Sequence, residues 1–105
     1  MQTGESLNEN LKSRCDSDKI FWVYYGPTIS DIFELIDAIK QIDKYTFKYH
    51  VNLDNNKNDF TDWIRTSLKL RKLALKLEGV FDKEEYLKIL EDALTHEGLT
   101  SAANN

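Results

Sequence analysis

Thr46 to Leu68, TFKYHVNLDNNKNDFTDWIRTSL, sets two aromatic-rich helical patterns on either side of one polar loop. Its first pattern pairs Phe47 with Val51 at i,i+4, with Tyr45, Tyr49 and His50 around them. Asp43 stands where an N-cap belongs, so the spacing predicts a short helix from Lys44 to about Val51. Leu53 to Asn58, LDNNKN, predicts a loop, because Asn and Asp side chains bond their own backbone and tolerate turn conformations. Asn58 or Asp59 caps a second helix, with Phe60, Trp63, Ile64, Ser67 and Leu68 on one stripe and Asp62 and Arg65 off it. The stretch reads as the core of a small helical domain.

The flanking chain supplies the remaining elements. Ser30 is a good N-cap, with Asp31 and Glu34 in the first turn and Ile32, Leu35, Ile36 and Ile39 on one face, predicting a helix from Asp31 to Gln41 or Ile42. Leu70, Leu73, Ala74 and Leu77 continue helical spacing to Glu78, and Gly79 is a natural terminator. The pattern leaves open whether residues 59–78 form one helix or two. Asp82 opens a capping box with Glu85, followed by the stripe Tyr86, Leu87, Leu90, Ala93 and Leu94 and an end at Gly98. Before all of these, Ile20 to Tyr25, IFWVYY, has strand composition, stopped by Gly26-Pro27, with Thr28 and Ile29 as a short return strand. The expected fold is therefore mainly α: four to five short helices with a short N-terminal β-strand or hairpin. Met1 to Asp18 is polar and aperiodic and reads as a flexible arm, residues 19–98 as the compact domain and residues 99–105 as a flexible tail. The domain's own helices are expected to cover the N-terminal hairpin; a bare edge along Ile20 to Tyr25 would instead let a partner or a second copy add a strand.

Composition narrows the function classes. With 105 residues, a net charge of −4 and a pI near 5.1, the chain carries no global field toward nucleic acid or an anionic membrane. Cys15 is its single cysteine, so no intrachain disulfide and no cysteine-built zinc site is expected. The first twenty residues show no apolar signal-peptide core, and no apolar run reaches the ~20 residues of a membrane span. A soluble cytoplasmic protein without cofactor or metal is the expectation. Asp54, Asn56 and Asn58 mimic the start of a calcium loop, but Asp59 and Arg65 stand where that loop needs Gly and a bidentate Glu. His50 has Asp54, Asp59 and Asp62 within reach in sequence, yet no nucleophile motif accompanies it, and His96 lies far along the chain. A hydrogen-bonded core or cap role fits His50 better. Trp63, Phe60, Phe47 and Tyr49 resemble a base-stacking platform, but their helical spacing assigns them to the core. Arg65, Lys69, Arg71, Lys72 and Lys76 form a basic run with no acidic residue between them, either a solvated face or an anion-binding patch.

At TFKYHVN, Thr46 to Asn52, followed by KNDFTDWI, Lys57 to Ile64, the chain resembles a family of small uncharacterised archaeal and bacterial domains. The matching positions include Phe21, Ser30, Phe47, Tyr49, His50, Val51, Asn52, Asn58, Asp59, Phe60, Trp63, Ile64, Leu73 and Ala74. The resemblance implies that Tyr49, His50, Phe60 and Trp63 meet in the core, with Asn52, Asn58 and Asp59 satisfying helix ends. It brings no catalytic residue or cofactor. A Gly-Asp turn usually follows the Trp-Ile helix in that family; Lys69-Leu70 here favours a more continuous helix. The expected function is a non-enzymatic protein-interaction or regulatory module, acting on an unknown protein partner or on a second copy. Two alternatives are binding of nucleic acid or another anionic partner through Arg65 to Lys76, and a small enzyme using His50 with Asp59 or Asp62.

Overall fold

The structure is a computed structural model that describes residues 9–97. Its elements run β1 (Phe21–Trp22), β2 (Thr28–Ile29), α1 (Ile32–Gln41), α2 (Lys44–His50), β3 (Val51–Asn52), β4 (Lys57–Asn58), α3 (Asp59–Thr66), α4 (Arg71–Leu77) and α5 (Lys83–His96), after a 3-10 turn at Ser17–Lys19. The fold is mainly α, with two small antiparallel strand pairs. None of the helices among the described residues is long and apolar enough to cross a membrane.

Helix α1 buries Ile32, Leu35, Ile36, Ala38 and Ile39, and Lys40 pairs with Glu91 of α5 at 2.9 Å. Its N-cap is Asp31 rather than Ser30: the Asp31 carboxylate accepts from Glu34 N–H at 2.8 Å, while the Glu34 carboxylate accepts from Ser30 N–H at 2.7 Å. An acid outcompetes the serine because its oxygens take a charge-assisted bond at the positive helix end. Asp43 caps α2 through Thr46 N–H, Asn58 caps α3 through Thr61 N–H and Asp82 caps α5 through Glu85 N–H. Gly79 takes φ 79 just past α4, the left-handed conformation that stops a helix.

Several elements depart from the sequence reading. LDNNKN is not all loop: Leu53 to Asn56 is the turn of a hairpin and Lys57–Asn58 its second strand, Val51 pairing with Asn58 and Asn52 with Lys57. Asn56 N–H closes the turn on Leu53 C=O at 2.9 Å, with Asn56 itself at φ 50. The strand expected over Ile20 to Tyr25 is only β1, because the chain turns at Val23 to Gly26. Residues 59–78 form two helices, not a continuous one. Leu68 and Leu70 are both buried, at 3% exposure each. On one helix they would lie about 200° apart and could not both face the core. The chain resolves this by placing Lys69 at φ 61 and returning Leu70 N–H to Ile64 C=O at 3.0 Å.

The segment from Glu9 to Asp18, expected as part of a flexible arm, lies against the domain. Leu11 is buried in the core, Cys15 N–H donates to Ser30 C=O at 2.9 Å, and Arg14 pairs with Asp31 at 2.9 Å. The Glu9 carboxylate accepts from Lys72 N–H at 2.9 Å and Leu73 N–H at 3.2 Å. It thereby caps α4, whose own N-cap residue, Leu70, has no side chain able to do so. The rest of the arm, Gly98 and the tail lie outside the described residues.

Candidate functional site

Helix α2 positions its side chains by its pitch. Phe47 and His50, three apart, face inward, and Lys44, Tyr45, Lys48 and Tyr49 face solvent. Tyr49, which the family resemblance places in the core, is about 200° from Phe47 around the helix and is 50% exposed.

His50 sits under this surface at 4% exposure, against the rings of Phe21 and Phe60. Its Nε2 accepts the backbone N–H of Tyr24 at 3.0 Å. Nε2 is therefore unprotonated, and the proton of the neutral ring rests on Nδ1, 3.0 Å from the Asp59 carboxylate. Burial pushes the imidazole below its ordinary pKa of 6.5, and Asp59 opposes that shift. The same Asp59 oxygen holds Lys57 Nζ at 3.1 Å. Lys57 bonds the Tyr49 carbonyl and places its ammonium 4.3 Å from the Tyr49 ring centroid. Tyr49 in turn stacks on Tyr24, with centroids 4.0 Å apart and planes 14° from parallel. Tyr24, His50, Asp59, Lys57 and Tyr49 thus close a circuit joining the β1–β2 turn, α2, β4 and α3.

This circuit fixes the meaning of the histidine–aspartate pair. Its geometry resembles a general-base dyad, but Nε2 already accepts a backbone N–H and is not free to take a proton from a substrate. Asp62 pairs with Arg65 instead. The pair anchors the β1–β2 turn.

Above it the turn carries aromatic rings into solvent. Gly26 N–H bonds Val23 C=O at 2.9 Å, and Tyr25 occupies the turn at φ 53, where glycine or asparagine is favoured. A Cβ at Gly26 would meet Val23 Cγ1 at 2.8 Å, so any side chain there would force Val23 to shift. Tyr25 is 91% exposed and its ring meets Tyr24 edge-on at 4.4 Å. Tyr45 is one helical turn from Tyr49 and 75% exposed, as is Trp22 on β1. Tyr25, Tyr24, Tyr49 and Tyr45 form a line across the β1–β2 turn and α2.

Of the residues singled out from sequence, Phe47, Phe60, Trp63 and Ile64 are buried and His50 joins them. Trp63 Nε1 donates to Lys19 C=O at 2.7 Å, which ties α3 to the segment before β1. Asn58 caps α3, as expected. Asn52 caps no helix: it accepts from Asp54 and Asn55 N–H within the hairpin turn. Asp59 caps none either, being held by His50 and Lys57. The basic run is divided. Arg65 bridges Asp62 at 2.9 Å and Glu78 at 2.6 Å, whereas Lys69, Arg71, Lys72 and Lys76 are exposed.

Sequence reasoning missed Tyr24, Tyr25, Tyr45, Lys44, Lys48 and Lys57 as surface residues of one site. A signal was present in KYTFKYH, where Lys-Tyr recurs four residues on, one helical turn, with no carboxylate within the repeat. The contact between Tyr24 and Tyr49 is long-range and left no local trace. Comparison with protein-family models, with characterised proteins and with solved structures gives no match for this chain.

Proposed function

We propose that this chain is a non-enzymatic interaction module whose working surface is the line Tyr25, Tyr24, Tyr49 and Tyr45. One observation carries the reading: four of the five tyrosines lie exposed along one line, and Tyr25 is held there at φ 53. A bulky residue in the left-handed region costs roughly 1–2 kcal/mol relative to ordinary backbone. Such strain gathers at functional positions. The strand edge is a weaker docking site than sequence implied, because Tyr24 N–H is taken by His50 and Ser30 C=O by Cys15. A cytoplasmic setting and kinship with the uncharacterised family that shares the Tyr-His and Asn-Asp-Phe blocks belong to the same proposal.

The test needs no partner. Tyr25→Gly, followed by chemical denaturation, should leave the domain equally stable or raise its stability by up to about 1 kcal/mol, since glycine takes φ > 0 freely. A loss of more than about 1 kcal/mol would show that Tyr25 serves the fold, and the surface reading would fall.

A further inference from the structure

The solvent face of α2 consists of Lys44, Tyr45, Lys48 and Tyr49. No acidic residue lies in its first turn, and the capping carboxylate of Asp43 is engaged by Thr46 N–H. The Lys44 ammonium lies 5.9 Å from the Tyr45 ring centroid, and Lys57 borders Tyr49. In a chain of net charge −4 the exposed face of α2 itself carries two lysines and no carboxylate. Charge complementarity therefore selects an anionic occupant. A second copy laid face to face would set lysine against lysine.

Shape decides what kind of anion. Peptide side chains dock into well-packed pockets. The neighbouring cleft, about 880 Å³, contains none of the four tyrosines, and beyond Lys44 and Lys48 its charged lining is mostly acidic, with Asp54, Asp82, Glu84 and Glu85 against Lys83. The tyrosine line instead offers open ring faces, most fully at Tyr25 and Tyr45. Unpaired bases stack on such rings without a pocket, while lysines follow the phosphates. A duplex hides its base faces and gains only the lysine contacts.

Resting on the interaction reading, we infer that the tyrosine line is a binding site for single-stranded nucleic acid. Bases stack on Tyr25 and Tyr45, exposed Trp22 on β1 offers a further ring, and Lys44 and Lys48 hold phosphates, Lys57 being already paired with Asp59. The site is distinct from the basic run on α4.

The experiment is fluorescence anisotropy of the full chain with short, end-labelled, pyrimidine-rich RNA and DNA strands at low salt, with quenching of tryptophan fluorescence as a second readout. Binding should exceed that of the matching duplex. It should weaken about tenfold or more when Tyr25→Ala and Tyr45→Ser are combined, because each stacked base adds substantially to affinity. Its logarithmic salt slope should be about −1.4, as expected for two phosphate contacts on a single strand. Tyr45→Ser alone, on an exposed helix face, should show part of the loss in a fully folded domain. Binding that survives the tyrosine changes but is lost in Arg71→Gln/Lys72→Gln/Lys76→Gln overturns the assignment and moves the site to α4. Binding of a labelled glutamate-rich peptide without binding of either strand overturns the nucleic-acid inference and leaves the interaction surface standing. Binding of neither probe overturns the inference as well, and the Tyr25→Gly stability result then judges the surface by itself.

Discussion

Phenylalanine and tyrosine are kept apart in this domain, Tyr86 excepted. Phe21, Phe47 and Phe60 meet one another or Tyr86 at centroid distances of 5.1 to 6.3 Å, inside the core or at its edge. Tyr24, Tyr25, Tyr45 and Tyr49 stand outside. The two sets differ by a hydroxyl, which must find a partner when buried and finds water when exposed. Tyr86 shows what the inside requires: its hydroxyl lies 2.8 Å from Thr61 Oγ1, and burial pushes its pKa up. His50 sits where the two regions meet, its ring in edge-type contact with both Phe21 and Tyr49. A domain this small can spare rings for its surface only because its core is complete without them.

Substitutions on either side of that boundary should differ sharply. Phe60→Ala removes a fully buried ring that touches Phe21, Phe47, His50 and Tyr86. A loss of about 3–5 kcal/mol is expected in urea denaturation. A loss below about 1 kcal/mol would mean that the core does not depend on this cluster.

At the boundary, His50→Gln should cost about 1–3 kcal/mol, since a buried donor and acceptor lose their partner. It should also change the pH response. The folded-state pKa of His50 is lowered, so between about 6.5 and that lower value the unfolded chain binds a proton that the folded chain does not. Stability contributed by neutral His50 is therefore complete above 6.5 and is lost as pH falls through that window. Denaturation midpoints from pH 7.5 to 5 should fall more steeply for wild type than for the variant. Parallel slopes would refute a neutral buried His50.

Outside the boundary, Tyr45→Ser should change stability by no more than about 0.5 kcal/mol. A larger loss would show that Tyr45 packs, and the contrast between the two aromatic sets would blur.

Much of this arrangement was legible in the sequence because it is periodic and local. The apolar stripes of α1 and α5, the caps at Asp43 and Asp82 and the stop at Gly79 each follow from residues within a turn or two. The break at Lys69 was not legible, since lysine carries no mark of a left-handed backbone; the need to bury both Leu68 and Leu70 forces it. The β3–β4 pair escaped notice because two-residue strands have no alternation to read. The site was half visible: His50 and Asp59 stood out as a chemical pair, yet what they hold is the backbone of Tyr24, 26 positions earlier. Tyr49 followed the inward set only by its place between two core residues.

The Glu9 cap has a consequence for the order in which the chain assembles. Glu9 and Lys72 are 63 positions apart, so the start of α4 is completed by a residue synthesised long before it. Helices α1 to α3 take their caps from the residue just before them, Asp31, Asp43 and Asn58. The α4 cap must wait for a long loop to close, and loop closure is the slow entropic step in forming distant contacts. Until Glu9 docks, two backbone N–H groups in the first turn of α4 lack this partner, so that helix is complete only once the leading segment is in place.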